Sequence, residues 1–161
     1  ARAAGKVYLF RGGASMDSLP DGTWSGESRD DWFGNSVAGT RDVDGGGRPD
    51  LLVGAPYNDR GGSAAGAAYL FRGESAPGSA PVATFVGESA NAQFGWSVSG
   101  AGDLDGDGRM DVVVGARLQA SGPLAAAGRC YAFLGAATPP TMPWITSDGE
   151  AANDWYGHSV G

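Results

Sequence analysis

VYLFRG (Val7–Gly12), AYLFRG (Ala68–Gly73) and CYAFLG (Cys130–Gly135) set their tyrosines at positions 8, 69 and 131, in steps of 61 and 62 residues. The Gly-Glu pairs at 26–27, 87–88 and 149–150 keep those steps. So do the aromatic-Gly pairs that open FGNSV at Phe33, FGWSV at Phe94 and YGHSV at Tyr156. The acidic stretch DVDGGGRPD at Asp42 returns as DLDGDGRMD at Asp103, 61 residues on. Independent landmarks sharing one period define a repeat architecture, in which units bury their apolar faces against one another.

Within one period the pattern reads as strands. FGWSVSGAGD alternates small and large residues and then meets the acidic stretch. MDVVVGA is a short continuous apolar run, as expected for a strand buried on both faces. AAAGRCYAFLG reads as a third strand and PWITSDGE as a weaker fourth, with VATFVGE and GTWSGE as its counterparts. ESAPGSAP and AATPPTMP connect strands three and four. No stretch shows helical periodicity with caps. The expected class is all-β, with four antiparallel strands per repeat forming β-propeller blades.

The phase divides residues 1–161, a single propeller region, into four parts. Residues 1–32 are the end of one blade (strands three and four), 33–93 and 94–155 are full repeats, and 156–161 begin the next. That is about 2.6 blades, whereas a closed ring takes about four to eight. The chain is expected to be a piece of a longer propeller, or one of several copies that self-associate to complete one. Its start at Ala1, with neither initiator Met nor signal peptide, adds the expectation of processing or excision from something longer.

The motifs resemble the FG-GAP repeat. Phe33-Gly34 and Gly54-Ala55-Pro56 match in the first full repeat; Phe94-Gly95 and Gly115-Ala116 match in the second, where Arg117 replaces the proline. The resemblance covers essentially the whole chain. It implies the seven-bladed propeller of integrin α subunits and of many bacterial surface proteins. An extracellular or cell-surface location, secreted and bacterial, follows as an expectation, with a protein or glycan ligand engaged on the propeller rim.

The acidic stretches carry the chemistry. Calcium takes six to eight oxygens from carboxylates, carbonyls and water. Asp103, Asp105 and Asp107 stand at alternate positions, the Arg109 carbonyl follows, and Asp111 closes the set, with Gly106 and Gly108 permitting the tight path. An EF-hand needs a Glu at its twelfth position. Val114 is there instead, so the nine-residue FG-GAP type of loop fits better. Without a cation these carboxylates repel one another. The first loop offers Asp42, Asp44, the Arg48 carbonyl and Asp50, but Gly46 supplies no oxygen at the fifth place. Two structural Ca²⁺ sites of unequal affinity are expected, the tighter at Asp103–Asp111.

Composition excludes several classes. Eleven Lys and Arg against 18 Asp and Glu give a net charge of −7, the wrong sign for nucleic acid or an anionic lipid surface. No apolar run approaches the roughly 20 residues of a membrane helix, so membrane insertion is not expected. With 42% hydrophobic residues the chain can build a core. One cysteine, Cys130, excludes an intrachain disulfide and reads as a small packed hydrophobe. His158, the one histidine, lacks a Ser-Asp partner pattern. Trp32 and Trp155, with Asp31 and Asp154 beside them, are expected to pack between blades. Glu27, Glu88 and Glu150 recur with the period and read as structural. No residues suggest an enzyme. The expected function is a calcium-stabilised interaction or adhesion module. The alternatives are an architectural subunit of a ring or filament, and an accessory propeller of a secreted enzyme.

Overall fold

Short apolar runs punctuated by Gly- and Asp-bearing turns form strands and no helix among the described residues, which in this computed structural model are 4–10, 12, 18–73 and 79–161. Arg11 of the VYLFRG landmark and residues 74–78 of the ESAPGSAP connector lie outside them. β1 (Lys6–Leu9) and β2 (Gly22–Ser25) form an antiparallel pair. β3 (Ser36–Gly39), β4 (Leu51–Ala55), β5 (Ala67–Phe71) and β6 (Ala83–Val86) form one four-stranded antiparallel sheet in simple sequence order. β7 (Phe94–Gly102), β8 (Asp111–Ala116), β9 (Arg129–Phe133) and β10 (Ile145–Asp148) form a second of the same order. These are propeller blades. The strand that YGHSV would begin is not formed: past a bridge from Tyr156 to Gly128 the backbone is irregular, with no second strand beside it to complete a ladder.

The central strands are buried on both faces because each blade packs between neighbours. Leu52, Ala68, Leu70, Ala83 and Phe85 face forward, onto Phe94, Val98, Val112, Val114, Tyr131 and Phe133 of the next sheet. Val53, Ala55, Tyr69 and Phe71 face back, onto Val7 and Trp24. This is the period-2 alternation of a strand with apolar residues on both sides. Phe85 and Phe133 meet across the seam at 4.4 Å between ring centroids.

The FG and GA motifs meet at these seams. A Cβ on Gly54 would lie 2.0 Å from the Gly95 carbonyl oxygen of the next blade, and one on Gly115 would lie 2.0 Å from that of Gly157. Ser36 Oγ donates to the same Gly95 oxygen (2.9 Å), and Ser97 Oγ donates to that of Gly157 (2.7 Å). One backbone bond is repeated at every boundary: Phe33 N to Ala4 O, Phe94 N to Ala65 O and Tyr156 N to Ala127 O, at 2.9–3.1 Å. Two of the periodic glutamates pair across a seam, Glu27 with Arg60 and Glu88 with Arg129.

Arg129 also grips Asp148, its register partner on β10, through Nε and Nη2. That hydrogen bonding holds the Asp148 carboxyl below the usual carboxylate range against partial desolvation. A lowered folded-state pKa gives stability that is present above the unfolded carboxylate value and lost as pH falls through the folded one. Melting temperature should therefore drop below about pH 4, and Asp148→Asn should flatten that acid limb in a pH series of thermal melts.

Candidate metal centre

Each acidic stretch is the hairpin between the first two strands of a blade: Asp42–Asp50 joins β3 to β4, and Asp103–Asp111 joins β7 to β8. The sequence forms this turn through its own side chains. Asp103 Oδ1 accepts the N–H groups of Gly106 (2.7 Å) and Asp107 (3.0 Å), and Oδ2 accepts that of Gly108 (2.8 Å). Asp42 does the same for Gly45 (2.7 Å) and Gly47 (2.8 Å). Gly45 and Gly106 sit at φ of 80° and 82°, a region that side chains with a Cβ rarely adopt.

The ninth position has a role that the sequence did not reveal. Asp111, fully buried, accepts Leu104 N on Oδ2 (2.6 Å) and Gly135 N on Oδ1 (2.7 Å), tying the loop to the end of β9. Asp50 repeats this, accepting Val43 N (2.8 Å) on Oδ2 and Gly73 N (3.0 Å) on Oδ1. Burial pushes the Asp50 carboxyl above its usual range, the Asp44 charge adds to this, and the two N–H groups oppose it.

Carboxylate oxygens of Asp103, Asp105 and Asp111 come within 4.8 Å of one another, and those of Asp42, Asp44 and Asp50 do likewise. Asp107 stands outside the second cluster, its Oδ1 accepting Arg109 N at 2.8 Å. At the second loop this all-oxygen, multiply charged donor set suits a hard divalent cation, and among the described residues no guanidinium or ammonium pairs with it. The first loop differs. Arg72, just past β5, bonds Asp44 through Nε. The side chain of Arg109 lies over Gly45, where a Cβ would come within 3.1 Å of its Nε. The two hairpins touch through Met110 N, which donates to Asp42 O at 2.9 Å. A cleft of about 290 Å³ opens between them, lined by Asp42, Asp103, Arg41 and Arg109.

The remaining candidates carry no reactive arrangement. Burial pushes the Cys130 thiol up to about 11, away from the thiolate a nucleophile needs. Trp32 and Trp155 are half-exposed instead of buried between blades. Each ring spans an indole too wide for the narrow seam that Phe94 fills at the equivalent place's neighbour, and each lies on a surface partner: Trp32 on Tyr57 at 4.5 Å, Trp155 beside His158 at 6.3 Å. Arg117, the departure from GAP, stacks 3.3 Å over Trp96 and donates Nε to Gln93.

Stacked four-stranded blades with an acidic hairpin in the same place on each define a β-propeller repeat protein. Residues 42–114 match the model of the family described as FG-GAP-like repeat, and the chain belongs to that family through this stretch. It is similar to integrin alpha-5 of Xenopus laevis, 36% identical over 70% of this chain, and to integrin alpha-IIb of Mus musculus, 39% over 68%. Integrin alpha-PS5 of Drosophila melanogaster is 36% identical over 81% of it. The chain spans about a tenth of the length of these relatives, 11%, 11% and 12% respectively.

Proposed function

We propose that this chain is part of a calcium-stabilised extracellular propeller that serves adhesion-type interaction, with a protein or glycan ligand on its rim. Residues 33–93 and 94–155 are its two repeats. The observation that carries the reading is the convergence of three carboxylates in the hairpin of each full blade, in a chain similar to integrin alpha chains. Asp103, Asp105, Asp107, Asp111 and the Arg109 carbonyl would hold the tighter ion; Asp42, Asp44, Asp50 and the Arg48 carbonyl would hold the weaker. Calcium supplies positive charge that offsets the mutual repulsion of the carboxylates, and its binding free energy adds to folding stability. The role is structural, and nothing in the cluster performs a reaction.

Calorimetric titration with Ca²⁺ should show two unequal sites per chain, and Asp105→Ala should remove the tighter one. Excess EDTA should lower the melting temperature on the order of 5–10 °C, the effect of a site held near a hundredfold above its Kd. Equal affinities, or an unchanged melt, would count against this reading.

One observation favours self-association to complete the ring. Tyr8 is 53% exposed where its equivalent Tyr69 is 3%, and Leu9 and Phe10 are similarly bare where Leu70 and Phe71 are buried. This face has the shape and polarity of a blade surface that packs against another blade. Light scattering of the purified chain tests it: a monodisperse monomer would leave a longer native propeller as the remaining source of the missing neighbour.

A further inference from the structure

We infer that the Arg72 guanidinium serves as the resident cation of the first acidic hairpin, so that this loop is held closed without metal while the second depends on it. The inference rests on the calcium reading of the second loop. Its first support is geometric. Asp44 has a side chain only 3% exposed, and its Oδ2 is bonded by Arg72, itself 43% exposed. A carboxylate that deeply buried is costly unless a cation pairs with it, and Arg72 supplies that cation from the end of the neighbouring strand.

The second support is the repeat, which provides an internal control. At the place of Arg72 the second repeat has Leu134. At the place of Asp107 the first repeat has Gly46. The two differences compensate. The hairpin that receives a guanidinium has one carboxylate fewer, and the hairpin that keeps all four aspartates receives none among the described residues. Arg109 adds to the imbalance by laying a second guanidinium over the first loop at Gly45. Fewer carboxylates and a tethered positive charge both lower the affinity of an oxygen site for a divalent cation. Arg72 is thus a competitor with a fixed and high local concentration.

The test combines calorimetry with thermal melts on the whole chain. In an Asp105→Ala background, which leaves the first loop as the measurable site, adding Arg72→Leu should tighten Ca²⁺ binding at least about tenfold. In EDTA, Arg72→Leu alone should melt below the unsubstituted chain, Arg72→Lys should retain most of the stability, and added Ca²⁺ should restore the leucine variant. Unchanged first-loop affinity together with an unchanged EDTA melt would overturn the inference. If no variant binds Ca²⁺, yet the leucine variant melts low and the lysine variant does not, the calcium reading falls and the role of Arg72 stands.

Discussion

Gly54→Ala is expected to destabilise the chain by about 3 kcal/mol or more. The new methyl would sit 2.0 Å from the Gly95 carbonyl oxygen and 2.3 Å from Ser36 Oγ. The oxygen belongs to the backbone of the next blade, so no side-chain rotation relieves the clash. The sheets must move apart, and the Ser36 hydrogen bond and the Phe85–Phe133 contact loosen with them. Gly115→Ala should act alike at the next seam, where the Gly157 oxygen stands at the same 2.0 Å. Gly39 is the control. It lies on the exposed edge of the same sheet with no atom within 4 Å of its Cβ position, so alanine there should change stability by no more than about 1 kcal/mol. Urea melts of the three variants decide the matter; equal costs at Gly39 and Gly54 would show that the close approach does not hold the blades.

Asp111→Ala is expected to cost about 3–5 kcal/mol in EDTA, before any metal is considered. Its two oxygens accept Leu104 N and Gly135 N in a fully buried position. A hydrogen bond to a charged group contributes about 1.5–3 kcal/mol, and the stranded N–H donors carry their own desolvation cost. Asp105→Ala should behave differently. Asp105 is exposed and accepts only Asp107 N, within its own loop. In EDTA its loss should stay within about 1 kcal/mol, while tight Ca²⁺ binding disappears. The pair separates two duties that the run of aspartates combines: Asp105 serves the ion, whereas Asp111 also fastens the hairpin to the third strand. A mild Asp111→Ala melt in EDTA would leave that residue with the ion alone.

The strands and hairpins were legible because each is a local pattern. DVVVGA declares a doubly buried strand by its unbroken apolar run, and the 61-residue spacing placed each acidic turn between the first two strands of a blade. What was not legible joins residues about one repeat apart. That Gly54 must be small because of Gly95, or that Ser36 reaches the same carbonyl, is a relation between different blades and leaves no local pattern. The same holds for Arg72. It reads as the end of a strand motif, and only the folded chain brings it to Asp44, 28 residues earlier. The comparison of Arg72 with Leu134 was a usable signal, visible once the repeats are aligned beyond the acidic stretch. Trp32 and Trp155 misled because an aromatic beside a buried Phe suggests burial. Both have positive φ, at 57° and 53°, and this turns the ring out of the seam.

The seam bonds from Ser36 to Gly95 and from Ser97 to Gly157 have a consequence for how such a chain can grow. Each links a unit only to its successor, through the same atoms every time. Copying one unit of 61 or 62 residues in tandem would therefore create no interface that is not already satisfied elsewhere in the array, and removing one would leave none mismatched. Stability in such a system approximates a sum over nearest neighbours. Gene duplication can then lengthen or shorten it by whole units at little energetic risk, whereas an insertion of any other length would put a bulkier residue where the Gly54 or Gly115 carbonyl contact tolerates none.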